Sequence, residues 1–246
     1  MNSYGDFAYL YDRLIDEDYE KWANFLEGCF KKYGANISLV LDLACGTGSI
    51  TTLLAKRGYD MIGLDGSCDM LNIAAEKSEG LSIQYILQDM TEFELYGTVD
   101  AIICTLDGMN YITDPAKLER VFRLAHNYLN PGGLFVFDVN SRYKIENILG
   151  NRCYVTDLEE VFYTWENFYN EETKICSYNL TFFVENGGKY ERVDEYQEQR
   201  AHSREELEQS LAKAGLSVIN CFDGISFAEG CETSERLMFV TQKPMA

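Results

Sequence analysis

An α/β fold, built on a mostly parallel sheet with helices on both faces and carrying an antiparallel β insert, is what this 246-residue sequence predicts. Three observations lead there. Apolar strand-like runs alternate with helical patterns from Ser38 to Val139, a glycine-rich turn joins the first of those strands to the helix after it, and residues 151–201 switch to long, aromatic, alternating segments.

In chain order, Asp16 to Tyr33 places Tyr19, Trp22, Phe25, Leu26, Cys29 and Phe30 at helical spacing, which predicts an amphipathic helix. The strand SLVLDLA, a helix from Ser49 to Lys56, the strand MIGLD, a helix from Ser67 to Lys77 and the strand SIQYIL follow. A βαβαβ order implies parallel strands, because each helix carries the chain back to the same end of the sheet. VDAIIC supplies a fourth strand and Asp114 to Leu129 a helix, which LNPGG stops before the strand LFVFDV. VFYTWENFY, ICSYNLTFFVE and KYERVDEYQEQ, separated by EETK and GG, then read as an antiparallel meander. On its middle strand Cys176, Tyr178, Leu180, Phe182 and Val184 share the face expected to be buried. Ser203 and Glu206 form a capping box for a helix to Ala214, Gly215 ends it, and LSVINCF and RLMFVTQK close the chain as strands. The expected division is a helical cap over 1–35, an α/β domain over 36–150 with 202–246, and the insert over 151–201.

Composition narrows the function. Apolar residues at 46% and aromatics at 13% exclude a disordered chain. No apolar run reaches the roughly 18 residues of a membrane span, and the acidic N-terminus does not resemble a signal peptide, so a cytoplasmic protein is expected. A net charge of −19 repels polyanions, and no run of Lys and Arg appears, so nucleic acid and anionic membranes are disfavoured partners. The eight cysteines lie far apart without a CxxC pair, and there are only two histidines, so neither a zinc site nor a disulfide framework is expected. Most of the thiols are read as small core hydrophobes.

The chemistry concentrates in LVLDLACGTGSIT, residues 39–51. Gly46 and Gly48 stand at a strand-to-helix turn, where the lack of Cβ lets a ligand lie against backbone N–H groups. A dinucleotide fingerprint would place a third glycine where Thr51 stands, and Asp42 argues against pyrophosphate and for a ligand with an amino group. A tight turn without a ligand would keep both glycines but has no need of Asp42. Asp65 ends the second strand, from which a carboxylate can accept both hydroxyls of a ribose; capping the next helix is the alternative, a role Ser67 fills more naturally. Asp89 in ILQDM follows the third strand, within reach of an adenine amino group, although a loop aspartate capping a turn would look the same.

Together these residues resemble the class I S-adenosylmethionine-dependent methyltransferases, a Rossmann-like family with a seven-stranded sheet. LDLACGTG is similar to the family's glycine-rich first motif, LDGS to its ribose-binding acidic loop and LQDM to its adenine-binding turn. The resemblance implies that Asp42 contacts the methionine amino group, that Gly46 and Gly48 make room for the methionine part, and that Asp65 with Gly66 holds the ribose. It further implies that Met70 packs beside the adenine while Asp89 and Met90 read its edge. YGDFAYLYDRLIDEDYEKW and TLDGMNYI are similar to a bacterial small-molecule subgroup that includes amino-sugar N-methyltransferases. There the N-terminal aromatic segment covers the cofactor, which implies Tyr11 and Trp22 near the sulfonium; a core helix face is the alternative for both.

Methyl transfer requires an aligned nucleophile and exclusion of water rather than one universal catalytic residue. Acceptor-side candidates at the carboxyl ends of the fourth and fifth strands are Asp107, Asn110, Tyr111, Asn140 and Tyr143, with turn chemistry as the alternative for Asp107 and Asn110. Neither His126 nor His202 is expected to act. The expected activity is S-adenosylmethionine-dependent methylation of N or O on a small molecule, selected by the insert. An RNA or protein methyltransferase and a binding module without turnover are the competing readings.

Overall fold

The computed structural model describes residues 17–34, 36–158 and 161–245. Its first helix, α1 (Tyr19–Tyr33), opens on Asp18, whose carboxylate accepts from the Lys21 N–H. Five strands and three helices then alternate: β1 (Leu39–Leu43), α2 (Ser49–Lys56), β2 (Asp60–Asp65), α3 (Cys68–Lys77), β3 (Ile83–Leu87), β4 (Val99–Cys104), α4 (Pro115–Tyr128) and β5 (Leu129–Asn140). A single 3-10 turn, Gly108–Tyr111, precedes α4, and a π-helical turn, Lys144–Leu149, follows β5. Four strands come next: β6 (Cys153–Asp157), β7 (Val161–Asn170), β8 (Ile175–Asn186) and β9 (Lys189–Arg200). The chain ends with α5 (Arg204–Lys213), β10 (Ser217–Asp223) and β11 (Arg236–Gln242).

The strands form a seven-stranded sheet ordered β10-β11-β5-β4-β1-β2-β3 and a four-stranded sheet ordered β6-β7-β8-β9. In the larger sheet β11 runs antiparallel to β5 and β10, while β1 to β5 pair in parallel. This is the Rossmann-like methyltransferase architecture. Residues alternate across each central strand between two cores. Leu41, Ile102, Phe135 and Phe137 pack toward Phe122 of α4 and Leu207 of α5, and Val40, Ile103, Val136 and Met238 toward Trp22 and Phe25 of α1 and Leu54 of α2.

Two local features depart from the sequence reading. The segment LNPGG does not separate α4 from β5 but starts β5, because Leu129 pairs with Val99 and a register shift before Ala101 and Leu134 accommodates Pro131. The insert has a fourth strand, β6, short and half exposed at the sheet edge, where the apolar signal is weak. Only four of the eight cysteines, Cys29, Cys104, Cys176 and Cys221, are buried, so the expectation that most fill the core is corrected. No described helix is long and apolar enough to cross a membrane.

Candidate active site

The order of strands creates the site. From β1 the chain winds outward through β2 to β3, then crosses to β4 and β5 on the other side, so the loops after β1 and β4 diverge and leave a crevice at the carboxyl edge. A cleft of about 790 Å³ opens there, lined by the loops after β1, β2, β3 and β4 and overhung by Tyr196, Gln197 and Glu198 of β9.

The glycine-rich loop is fixed from below. The Gly46 N–H donates to Asp65 Oδ2 at 2.8 Å, and the Ser67 N–H donates to Asp65 Oδ1 at 2.8 Å. Burial raises the Asp65 carboxyl above its usual range, opposed by donation from the N–H groups of Ser67, Gly46 and Gly66. Lys77 ties the loop to α3 by donating to Thr47 Oγ1 at 3.0 Å and Ser49 Oγ at 2.8 Å. The two glycines serve different ends. At Gly46 (φ +54°) a Cβ would meet nothing within 4 Å, whereas at Gly48 (φ +70°) it would lie 2.8 Å from the Tyr85 hydroxyl and 2.9 Å from Ala74 Cβ. Gly46 lines the cleft; Gly48 lets α2 approach α3.

Asp42 stands behind this loop rather than in the cleft wall. Its side chain is buried, Oδ2 accepts from the Thr51 hydroxyl at 2.5 Å, and Oδ1 has no partner. Burial, with the neighbouring Asp65 charge, pushes its carboxyl up to about 7 against the Thr51 hydrogen bond. Gly46, Asp65, Gly66, Met70, Asp89, Met90 and Tyr111 line the cleft together. One Asp89 oxygen accepts from the Thr91 N–H at 2.7 Å, so this residue also caps its own turn.

Asp107, Asn110 and Asn140 belong to a second polar cluster that does not line the cleft. Arg236 of β11 pairs with buried Asp138 and, at 3.1 Å, with Asp107, and it lies over the Trp22 ring at 5.4 Å. Burial opposes the Arg236 charge, but the two carboxylates outweigh it and raise the guanidinium pKa. Gln199 of β9 donates to Asp107 Oδ2 at 2.7 Å and accepts from Asn140 and Tyr178 at 3.2 Å each. Asn110 donates to the Asn140 and Arg200 carbonyls, which fastens the end of β5 to the end of β9. Asn110 and Asn140 are buried and hydrogen-bonded within this cluster, Tyr143 is half-buried before the π-helical turn, and Asp107 faces Arg236.

Trp22 is in the core, donating its indole N–H to Glu17 at 2.9 Å, so the cleft-facing aromatic of α1 is Tyr19. Tyr11 lies outside the described residues. Sequence reasoning missed Tyr19, although helical spacing puts it one turn from Trp22. It also missed Gln88 and Thr105, although each directly follows a parallel strand at the carboxyl edge, and the β9 residues, whose position depends on how the insert folds back. His202 is buried beneath the 3-10 turn, its pKa lowered to about 4 chiefly by burial, and it does not line the cleft.

Cleft, carboxylate and glycine loop at the switch point of a Rossmann-like sheet define a nucleoside-binding enzyme of the methyltransferase type. A methyltransferase domain family matches residues 40–133. The crystal structure of an S-adenosylmethionine-dependent methyltransferase from Clostridium acetobutylicum is 36% identical, with a TM-score of 0.90, covering 97% of this chain and 98% of that one. A Bacillus subtilis chain bearing the name methyltransferase YqeM is 33% identical, covering 98% of this chain and 97% of its own length. The sugar N-methyltransferase KedS8 from Streptoalloteichus, at 21% identity, shares the fold with a TM-score of 0.79, covering 96% of this chain and 92% of its own. The chain belongs to the S-adenosylmethionine-dependent methyltransferases.

S-adenosylmethionine is its cofactor, and the residues present fit it. A carboxylate offers about four acceptor positions, and backbone N–H groups do not fill all of those on Asp65, which leaves acceptor capacity toward the cleft for a ribose hydroxyl. The open space at Gly46 lies beside Asp65, and carboxylates there suit a cation better than a pyrophosphate.

Proposed function

We propose that the enzyme methylates nitrogen or oxygen of a small molecule held between the sheet edge and the insert, with residues 151–201 acting as the lid that selects it. The observation that carries this reading is the charge of the cleft: among the described lining residues Asp65, Asp89 and Glu198 are acidic and none is Lys or Arg. Nucleic-acid grooves are basic, because phosphate contacts dominate affinity. Residues 151–210 add fourteen acidic against six basic side chains. The sugar N-methyltransferase neighbour supports the same reading.

When bound, S-adenosylmethionine supplies a methyl carbon activated by a positively charged sulfur. Asp65 and Gly66 would hold its ribose, Met70, Asp89 and Met90 would hold its adenine, and Gly46 would leave room for its methionine part, all of them lining the one cleft. Tyr111, whose hydroxyl donates to Gln197 Oε1 at 2.9 Å, links the 3-10 turn to the lid and faces the acceptor. Closing β9 over the cleft excludes water and aligns the acceptor, which is the main requirement of an in-line displacement.

The test supplies labelled S-adenosylmethionine to the enzyme with a Bacillus subtilis extract separated into ultrafiltrate and macromolecular fractions. Enzyme-dependent label in the ultrafiltrate supports the proposal. Label confined to RNA or protein overturns it.

A further inference from the structure

The turn that follows β4 is held in a conformation its residues disfavour. Leu106 (φ +60°) and Asp107 (φ +56°) adopt the left-handed region one after the other, and neither is glycine. There the Cβ crowds the following carbonyl oxygen, a clash that glycine escapes and that a short polar side chain tolerates better than Leu. Ala44 (φ +59°), on the loop after β1, is a third such residue, and a Cβ on Gly108 would lie 3.5 Å from Ala44 Cβ, so the two loops abut. Thr105, Leu106 and Gly108 line the cleft on either side of Asp107. In the sheet β4 lies on the far side of β1 from β2 and β3, so this turn is the cleft wall opposite Asp65 and Asp89.

Asp107 itself points away from the cleft and fastens the turn. Its N–H donates to Asp138 Oδ2 at 3.0 Å, Oδ1 pairs with Arg236 at 3.1 Å, and Oδ2 accepts from Gln199 Nε2 at 2.7 Å. In the antiparallel ladder Arg236 stands across from Asn140 and Met238 across from Asp138, which makes Arg236 and Asp138 diagonal neighbours and lets one guanidinium reach both carboxylates. Two unfavourable features thus meet at one place, a left-handed pair and three charges largely withdrawn from water. Arg236 alone would neutralise Asp138. Asp107 works against that pairing: the Asp138 carboxyl, raised to about 6 chiefly by burial and lowered by Arg236, is pushed up by the Asp107 charge. What Asp107 adds is a fixed main chain in the turn. Backbone held outside its preferred regions persists where its surroundings over-determine it, and such places cluster where geometry is part of the function.

We infer that Arg236, with Asp138, is a positioning residue for methyl transfer: acting through Asp107, it locks the left-handed turn so that Thr105 and Leu106 form a rigid wall against which the acceptor is aligned with the methyl carbon. Alignment is what an in-line displacement demands, and a displacement of about 1 Å costs on the order of a hundredfold in rate. The clamp acts on the wall and not on the acceptor's identity, so the inference holds whether the acceptor is a small molecule or a macromolecule.

The experiment measures label transfer at saturating S-adenosylmethionine into whichever fraction of the extract the wild-type enzyme labels, ultrafiltrate or macromolecular. Leu106→Ala and Leu106→Gly lose the same side-chain contacts and differ only in the left-handed penalty, so the glycine variant should melt about 2–4 °C higher than the alanine variant. It should nevertheless transfer label about tenfold more slowly than the alanine variant, because glycine frees the turn to leave its position. Asp107→Asn keeps a residue that accepts positive φ but loses the charge that Arg236 holds, and Arg236→Lys keeps a cation for Asp138 but not the fork that bridges two carboxylates. Each should lower kcat about tenfold with S-adenosylhomocysteine affinity within about threefold of wild type, and the double variant should be no slower than either, since both break one device. An alanine variant that melts at or above the glycine variant shows an unstrained turn and overturns the inference. Wild-type kcat in folded Asp107→Asn, or losses that multiply in the double variant, overturns it as well. Because label in either fraction serves, none of these outcomes bears on the size of the acceptor.

Discussion

Replacing Asp42 by Asn should shift stability toward the variant as pH rises, leaving the cofactor-free variant more stable than wild type at pH 8. Burial moves this carboxyl from 3.8 to about 7, so ionising it in the folded state is costly. The sign follows from linkage: the folded pKa is raised, so the favourable contribution is complete below the unfolded value and is lost as pH rises through the folded one. A shift of about three units corresponds to about 4 kcal/mol at pH 8, and well under half of it has accrued by pH 5. Asn keeps an oxygen to accept from Thr51 but adds an amide N–H₂ beside the unpartnered Oδ1 position, a pH-independent cost of about 1–3 kcal/mol. The two effects separate cleanly, since only the first varies with pH. Urea denaturation of both proteins at pH 5 and pH 8 should show wild type losing about 2–3 kcal/mol more than Asp42→Asn over that interval. Asp138 and Glu195, whose carboxyls are also raised by burial, titrate in both proteins and cancel in the comparison. Parallel pH profiles would refute the argument and mean that Asp42 is solvated.

Two further outcomes test the supports of the site. Arg236→Met leaves Asp138 buried without its cation and should cost about 3–5 kcal/mol at pH 8, with a smaller loss at pH 5 where Asp138 takes a proton; equal urea midpoints at pH 8 would contradict the pairing. Gly48→Ala must adopt φ near +70° and bring Cβ within 2.9 Å of Ala74, so its melting temperature should fall further than that of Gly46→Ala, which meets no atom within 4 Å. Gly46→Ala should instead weaken S-adenosylhomocysteine binding, and calorimetry reads the contrast.

The parallel sheet was legible because its strands are continuous apolar runs bounded by glycine turns and capped helices, signals that need no tertiary information. Asp65 and Gly46 were legible for the same reason: the end of a strand and the turn after it fix where a side chain emerges. Asp42 illustrates the limit. Its spacing from the glycines is readable, but its side chain points into the layer beneath the loop, because the pleat sets Val40 and Asp42 on one face. Trp22 follows the alternative reading, a core helix face, and what the sequence did not show is its partner there, the Arg236 guanidinium more than two hundred residues away. Tyr196, Gln197 and Glu198 reach the cleft only through the folding back of β9, which alternation predicts as a strand without saying what it covers.

Asp65 is the proposed anchor of the cofactor, and calorimetry of S-adenosylhomocysteine with wild type and Asp65→Ala is the measurement that decides it. Loss of charge-assisted hydrogen bonds predicts affinity weaker by about 1.5–3 kcal/mol in a folded variant. An affinity equal to wild type in a variant that still melts cooperatively would contradict it.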